Sequence, residues 1–171
     1  MLSQMGNNGG VLADSFYSIV ETDINNKEFL FEMLKGKVVY LVNVASHCGY
    51  TQENYQQLRD LGKFRGESFE LVIAPSNQFG AQEPGDAVAI SNFAKSQKFA
   101  GVVLEKSDVN GPSTRSSFLF LKSATQTPSI SWNFDGKFLI DKQGKVEKVS
   151  HLNTDQIERK IKTLLLEKYD L

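Results

Sequence analysis

Cysteine is nearly absent from this 171-residue chain: Cys48 stands alone, and histidine occurs only at His47 and His151. A single cysteine excludes a disulfide within the chain, an extracellular disulfide framework and a cysteine-rich zinc site. His47 adjoins Cys48, but nothing in the sequence completes a tetrahedral ligand set around the pair, so neither a metal nor another cofactor is expected. Charge of one sign is lacking too. The 19 Lys and Arg nearly balance the 20 Asp and Glu, for a net charge of −1, which gives no large electrostatic pull toward nucleic acid or an anionic membrane. No apolar run approaches membrane-spanning length. The Asn/Gly-rich opening from Met1 to Gly10 has no basic stretch followed by an apolar one, so no secretory signal is visible. Internal repeats and low-complexity linkers are missing, and the length suits one domain. The expectation is a flexible arm, or a remnant of trimming, over residues 1–13 and a single domain over residues 14–171.

The stretch from Leu41 to Leu58 organises what is present. Val38-Val39-Tyr40-Leu41-Val42 and Val44 form a β-branched, apolar run that reads as a buried strand. Thr51 to Lys63 carries Tyr55, Leu58 and Leu61 near helical spacing, and the Thr51 hydroxyl and Glu53 suit a first helical turn. Cys48 thus lies in a strand–loop–helix junction, where the unpaired N–H groups of the helix start favour thiolate over thiol. The plainer alternative is a small buried hydrophobe, the commoner fate of free cysteine. The flanking Ser46, His47, Gly49 and Tyr50 belong in a semi-exposed loop and favour the reactive role.

Phe16 to Glu21 and Glu28 to Phe31, joined by Asp23-Ile24-Asn25-Asn26-Lys27, read as a β-hairpin. Phe69 to Ala74 is a second buried strand, stopped by Pro75. Ser76 to Gly85 follows as a surface-lying Gly/Pro loop. Asp86 can cap a helix through Ala94, with Val88, Ile90 and Phe93 facing inward. Val102 to Leu104 is a short strand, and Pro112 or Ser113 opens a helix bearing Phe118, Leu119 and Leu121. Phe138-Leu139-Ile140 and Val146 to Val149 form a second hairpin. Thr154 caps a last helix striped by Ile157, Ile161, Leu164 and Leu165. This order predicts an α/β fold: a mixed sheet with helices on both faces and an N-terminal β-hairpin.

Loops at one edge of an α/β sheet converge. Those holding Cys48, Gln82 and Trp132-Asn133 together supply a thiolate, two carboxamides and an indole N–H. The set has no general-base pair, phosphate-cradling loop or metal ligands; it suits an anion held by neutral donors. Taken singly, Trp132 reads as a core aromatic, Gln82 as a solvated turn residue and Asn133 as a turn former.

Taken in order, the stretches make a stronger pattern. Val42-Asn43-Val44-Ala45-Ser46-His47-Cys48-Gly49 leads into Thr51, Asn54-Tyr55 and Gln57-Leu58. Pro75-Ser76-Asn77-Gln78-Phe79-Gly80-Ala81-Gln82-Glu83-Pro84-Gly85 follows, then Val109-Asn110-Gly111 and Trp132-Asn133-Phe134. This pattern resembles the glutathione peroxidases of the thioredoxin-like superfamily, over nearly the whole chain from about Phe16. The resemblance implies a thioredoxin-like fold and a catalytic tetrad of Cys48, Gln82, Trp132 and Asn133. It implies attack of the Cys48 thiolate on a peroxide, a Cys48 sulfenic acid, and reduction by external thiols through a mixed disulfide. The partners so implied are a hydroperoxide and a thiol reductant: glutathione, a thioredoxin-like protein or a protein disulfide isomerase.

The chain departs from the family pattern at several points. Ser76 stands where the second signature usually has cysteine, and Asp86 to Phe99 lacks the resolving cysteine of thioredoxin-dependent relatives. Asp135-Gly136-Lys137 puts three residues where the family usually has two, which is expected to shift the Trp132 loop. Arginines near the site are few, and Arg115 is the one singled out for glutathione. The short segment between Asn110-Gly111 and Trp132 is similar to that of the monomeric subgroup, so a monomer is expected. The ending Lys168-Tyr169-Asp170-Leu171 is similar to that of the endoplasmic-reticulum members and reads as a retrieval signal, with a cytoplasmic location as the alternative. Two other functions are open at this point: a peroxide-driven thiol oxidase relaying oxidation to a protein disulfide isomerase, and a non-catalytic thioredoxin-like binding module.

Overall fold

The computed structural model describes residues 11–169. Most of the arm expected over residues 1–13 lies outside the described residues, although Ala13 packs against the core. Asp170 and Leu171 of the terminal tetrapeptide lie outside them as well.

The expected N-terminal hairpin is a separate antiparallel pair, β1 (Val20–Thr22) and β2 (Glu28–Leu30), with Val20 opposite Leu30. Its turn is closed by the Asp23 carboxylate, which accepts the N–H groups of Asn25 and Lys27 at 2.8 and 3.0 Å, the local bonding that makes Asp a turn residue. Then follow β3 (Val38–Val44), α1 (Thr51–Leu61), β4 (Phe69–Pro75), α2 (Ala87–Ser96) and β5 (Val102–Val103). α3 (Ser116–Ala124), β6 (Lys137–Ile140), β7 (Val146–Lys148) and α4 (Thr154–Leu165) complete the order. The main sheet runs β5-β4-β3-β6-β7. β3 pairs parallel with β4 and antiparallel with β6, so the sheet is mixed, as the helix-then-hairpin order requires.

β3 is the axis of the fold: all seven of its residues are buried. A strand buried on both faces reads as continuously apolar, and the period-two alternation distributes its side chains. Val38, Tyr40, Val42 and Val44 join Leu58 and Leu61 of α1 and Ile157 and Ile161 of α4. Val39 and Leu41 join Phe118 and Leu121 of α3, with Phe16 and Phe31 beside the N-terminal hairpin. Helices therefore cover both faces of a thioredoxin-like α/β domain. No described helix is long and apolar enough to cross a membrane.

Local expectations shift in five places. Phe16–Ser18, expected to open the first strand of the hairpin, forms a 3-10 turn, and that strand begins at Val20. α3 opens at Ser116, not at Pro112 or Ser113; Asp108 and Thr114 instead form an isolated bridge. Val88 is 67% exposed, and Ile90 and Ala94 form the buried edge of α2. Asn153, not Thr154, caps α4: its side chain accepts the Gln156 N–H at 2.9 Å, and Gln156 reciprocates. The Ser76–Gly85 loop is less superficial than its composition suggests, because Ser76, Phe79 and Glu83 are buried.

Arg115 is not available to a ligand. Its guanidinium pairs with Glu21 at 2.7 Å and donates to the carbonyls of Pro75 and Glu105. Glu21 also accepts the Ser117 N–H at the start of α3, so the pair ties β1 to α3. Removing one member of a buried pair strands the other charge without compensation. Arg115→Met is expected to cost about 3–5 kcal/mol of stability, measured as a lowered urea midpoint; an unchanged midpoint would show the pair to be dispensable.

Candidate active site

Cys48 lies beyond the end of β3, half-buried against the α1–α4 side of the core. The loop that carries it is closed by Thr51, whose hydroxyl donates to the Ala45 carbonyl at 2.8 Å and accepts the Cys48 N–H at 3.1 Å. Thr51 therefore fastens the loop rather than capping α1. The Tyr50 N–H, at the head of α1, points at the Cys48 sulfur from 3.4 Å. This is the helix-start donor that the strand–loop–helix junction predicted. Tyr50 and His47 are exposed on either side.

The second loop is joined to the first through its backbone. The His47 N–H donates to the Gln82 carbonyl at 3.0 Å. Gly80 and Ala81 turn the chain with φ of +66° and +51°, a conformation costly for a residue with a Cβ. Gly80 has a second reason to be glycine: a Cβ there would come within 3.3 Å of both the Gln82 and Trp132 side chains.

The third loop is anchored by Asn43, the one carboxamide on β3. Its Nδ2 donates to the Trp132 carbonyl at 3.0 Å, its Oδ1 accepts the Gly136 N–H at 2.8 Å, and its own carbonyl accepts the Phe134 N–H at 2.9 Å. Phe134, buried, takes φ of +62° to allow this. The three-residue connection Asp135-Gly136-Lys137 is absorbed at the same point, since a Cβ at Gly136 would meet Asn43 Oδ1 at 2.9 Å and the Phe118 ring at 3.0 Å.

These anchors bring three of the four sequence-derived site residues together. Asn133 donates to Gln82 Oε1 at 2.8 Å and to the Phe79 carbonyl at 3.2 Å. The Trp132 ring leans on Phe79 with centroids 5.8 Å apart and is 38% exposed, so it is no ordinary core aromatic. Cys48 joins the group through the His47–Gln82 backbone bond. Among the described residues, the Cys48 sulfur takes its hydrogen bond from Tyr50, and the Gln82 Nε2 and Trp132 indole N–H have no partner. Those two donors are uncommitted. Among the described residues, no group of three His, Cys, Asp or Glu could hold a metal.

Four residues of the site carried no role in the sequence reading: Asn43, Gln78, Asn110 and Glu83. Gln78 Oε1 accepts the Val109 and Asn110 N–H groups, and Asn110 in turn bonds both polar groups of Ile130, a relay from the second loop to the base of the third. Glu83 is 1% exposed. One of its oxygens accepts both the N–H and the hydroxyl of Ser46, and the other has no partner among the described residues. Burial pushes its carboxyl up, against the downward pull of the Ser46 bonds and the His47 and Lys106 charges. Burial likewise pushes the Lys137 ammonium down, opposed by Glu53 and Asp135.

The family model described as glutathione peroxidase matches residues 16–122. Phospholipid hydroperoxide glutathione peroxidase 1, chloroplastic, of Arabidopsis thaliana is 45% identical over 150 residues, covering 84% of this chain; the chain spans 63% of that relative's length. Glutathione peroxidase-like peroxiredoxin 2 of Saccharomyces cerevisiae is 39% identical, with 90% of this chain and 99% of the relative covered. The apo crystal structure of Trgpx superposes with a TM-score of 0.73 at 28% identity, over 92% of this chain and all of that one.

The raised Glu83 carboxyl has a consequence for stability. The folded state holds that proton more tightly than the unfolded chain, so the contribution is complete below the ordinary value of 4.5 and is lost as pH rises through the folded value. Wild type should lose stability relative to Glu83→Gln between acid and neutral pH, seen in paired urea titrations. A difference independent of pH would contradict this.

Proposed function

Because the chain belongs to the glutathione peroxidase family, we propose that it is a thiol peroxidase reducing hydrogen peroxide or organic hydroperoxides at Cys48. The observation that supports the proposal is that the loop of the half-buried Cys48 thiol is tied through the His47–Gln82 backbone bond to a loop pair in which, among the described residues, the Gln82 and Trp132 donors are uncommitted. The Cys48 sulfur attacks the terminal peroxide oxygen. The S–O bond forms, the O–O bond breaks, and the leaving oxygen takes a proton to depart as water or alcohol. Cys48 is left as a sulfenic acid. Gln82 Nε2 and the Trp132 N–H donate to the oxygen on which charge develops. Asn133 holds Gln82 by its oxygen, so that the Gln82 nitrogen is the end presented.

Resolution needs a second sulfur. Cys48 is the only cysteine of this chain, so an external thiol attacks the sulfenic acid, water leaves, and a further thiol releases Cys48 from the mixed disulfide. Arg115, the residue singled out for glutathione, is occupied by Glu21, and recognition of this reductant rests on other contacts. The reading takes all four tetrad residues from one chain, which goes with a monomer. Near the end of the described residues, the Lys168 carbonyl accepts from Gln143 and the Tyr169 ring lies over Gly36.

Mixing reduced protein with one equivalent of hydrogen peroxide and trapping sulfenic acid for mass spectrometry tests the proposal. Oxidation confined to Cys48 within seconds is expected, absent in Cys48→Ser. Gln82→Ala and Trp132→Phe should each slow it by about 10²–10³-fold, the usual loss when one donor to developing charge is removed. A Cys48 left unoxidised on that timescale would sink the peroxidase reading.

A further inference from the structure

Glu83 has a role that the tetrad does not cover. A carboxyl almost never lies fully buried unless it is paired, yet Glu83 is 1% exposed and, among the described residues, meets no cation through its oxygens. What it meets is Ser46, two residues before Cys48, by main-chain N–H and hydroxyl together. Its own backbone is equally fixed. The Glu83 N–H donates to Asn77 Oδ1 at 3.0 Å, and Lys106 donates to the carbonyls of Glu83 and Gly85 at 3.2 and 2.7 Å. The His47 N–H meanwhile reaches the Gln82 carbonyl at 3.0 Å. Ser46 and His47 are thus held to Glu83 and Gln82 by three hydrogen bonds, and Cys48 is the next residue along.

We propose that Glu83 is a positioning residue for the Cys48 thiol: its carboxyl grips Ser46 and so sets the turn that delivers Cys48 to the head of α1 and to Gln82. The inference rests on the peroxidase reading for its catalytic meaning, but the positioning itself does not. Without the carboxyl, the Ser46 N–H loses its partner in a part-buried setting, and the loop moves to recover one. A shift of about an ångström in a reacting group is enough to cost about two orders of magnitude in rate. The groups facing the carboxyl are Ser46 and His47 from the Cys48 loop, Lys106 from the segment after β5, and Tyr55 from α1.

The test compares Glu83→Ala, Glu83→Gln and Ser46→Ala in the full chain, with two rates read at Cys48: alkylation by iodoacetamide and oxidation by hydrogen peroxide. Glu83→Ala should slow both by about 10- to 100-fold. Glu83→Gln keeps an oxygen for Ser46 and should return both to within about threefold of wild type, while Ser46→Ala, which loses one of the two donors, should slow them about three- to tenfold. If Glu83→Ala does not fold, Ser46→Ala decides, since it leaves the core filled. Wild-type rates in Ser46→Ala, or a Glu83→Gln as slow as Glu83→Ala, would overturn the proposal. The alkylation arm needs no peroxide chemistry. A wild-type thiol that alkylates but does not oxidise would remove the peroxidase reading and still leave the positioning role to be judged by the variants.

Discussion

The site depends on one buried carboxamide. Asn43 interrupts an otherwise apolar strand at the centre of the sheet, where an unpaired amide would cost on the order of 1–3 kcal/mol. Both polar atoms of its side chain are hydrogen-bonded, and their partners are the backbone groups of the Trp132–Gly136 loop. The requirement to satisfy Asn43 therefore dictates where that loop runs. The strand that ends in the Cys48 loop also fixes the loop that carries Trp132 and Asn133, with no intervening flexible element. Pre-organisation of this kind puts the cost of ordering the donors into folding rather than into the reaction.

The second loop is held by polar groups of the same sort. Gln78, Asn77 and Asn110 bind backbone groups, and Glu83 binds Ser46. Side-chain-to-backbone bonds substitute for the ladder that irregular segments lack. They let a loop containing two consecutive left-handed residues, Gly80 and Ala81, stay buried enough to carry Phe79 and Glu83 inward. Charge plays a smaller part. The buried Arg115–Glu21 pair reaches this loop at its start, where Arg115 donates to the Pro75 carbonyl.

Much of the architecture was legible because it follows from periodicity. The seven buried residues of β3, the Tyr55–Leu58–Leu61 stripe and the order of strands and helices all express burial patterns that composition and spacing encode. The start of α3 was not, since Pro112 and Ser113 carry good helix-opening chemistry and lose to the bridge between Asp108 and Thr114. Val88 was misplaced because helical spacing identifies a stripe but not its centre; Ala94 is too small to announce itself as core. Cys48 stands out from its junction and flanking residues alone, whereas the roles given to Gln82, Trp132 and Asn133 rest on the resemblance, since singly each reads as an ordinary structural residue. Asn43 and Glu83 left faint traces, a polar residue inside an apolar run and an acid beside a Pro-Gly turn. Neither shows what it binds until Trp132, Gly136 and Ser46 are brought close by long-range folding.

Phe134 gives the arrangement a mechanical side. Its reversed backbone puts two adjacent side chains into different compartments: Asn133 among the loops with Gln82, Phe134 in the helix-side core with its ring 6.3 Å from that of Tyr55. One peptide unit is therefore the lever arm between hydrophobic packing and chemistry. A substitution that lets the Tyr55 ring settle differently would act through Phe134 on Asn133 and on the amide it steadies. The tolerance of this domain to change in its core is set by how accurately Gln82 must be aimed.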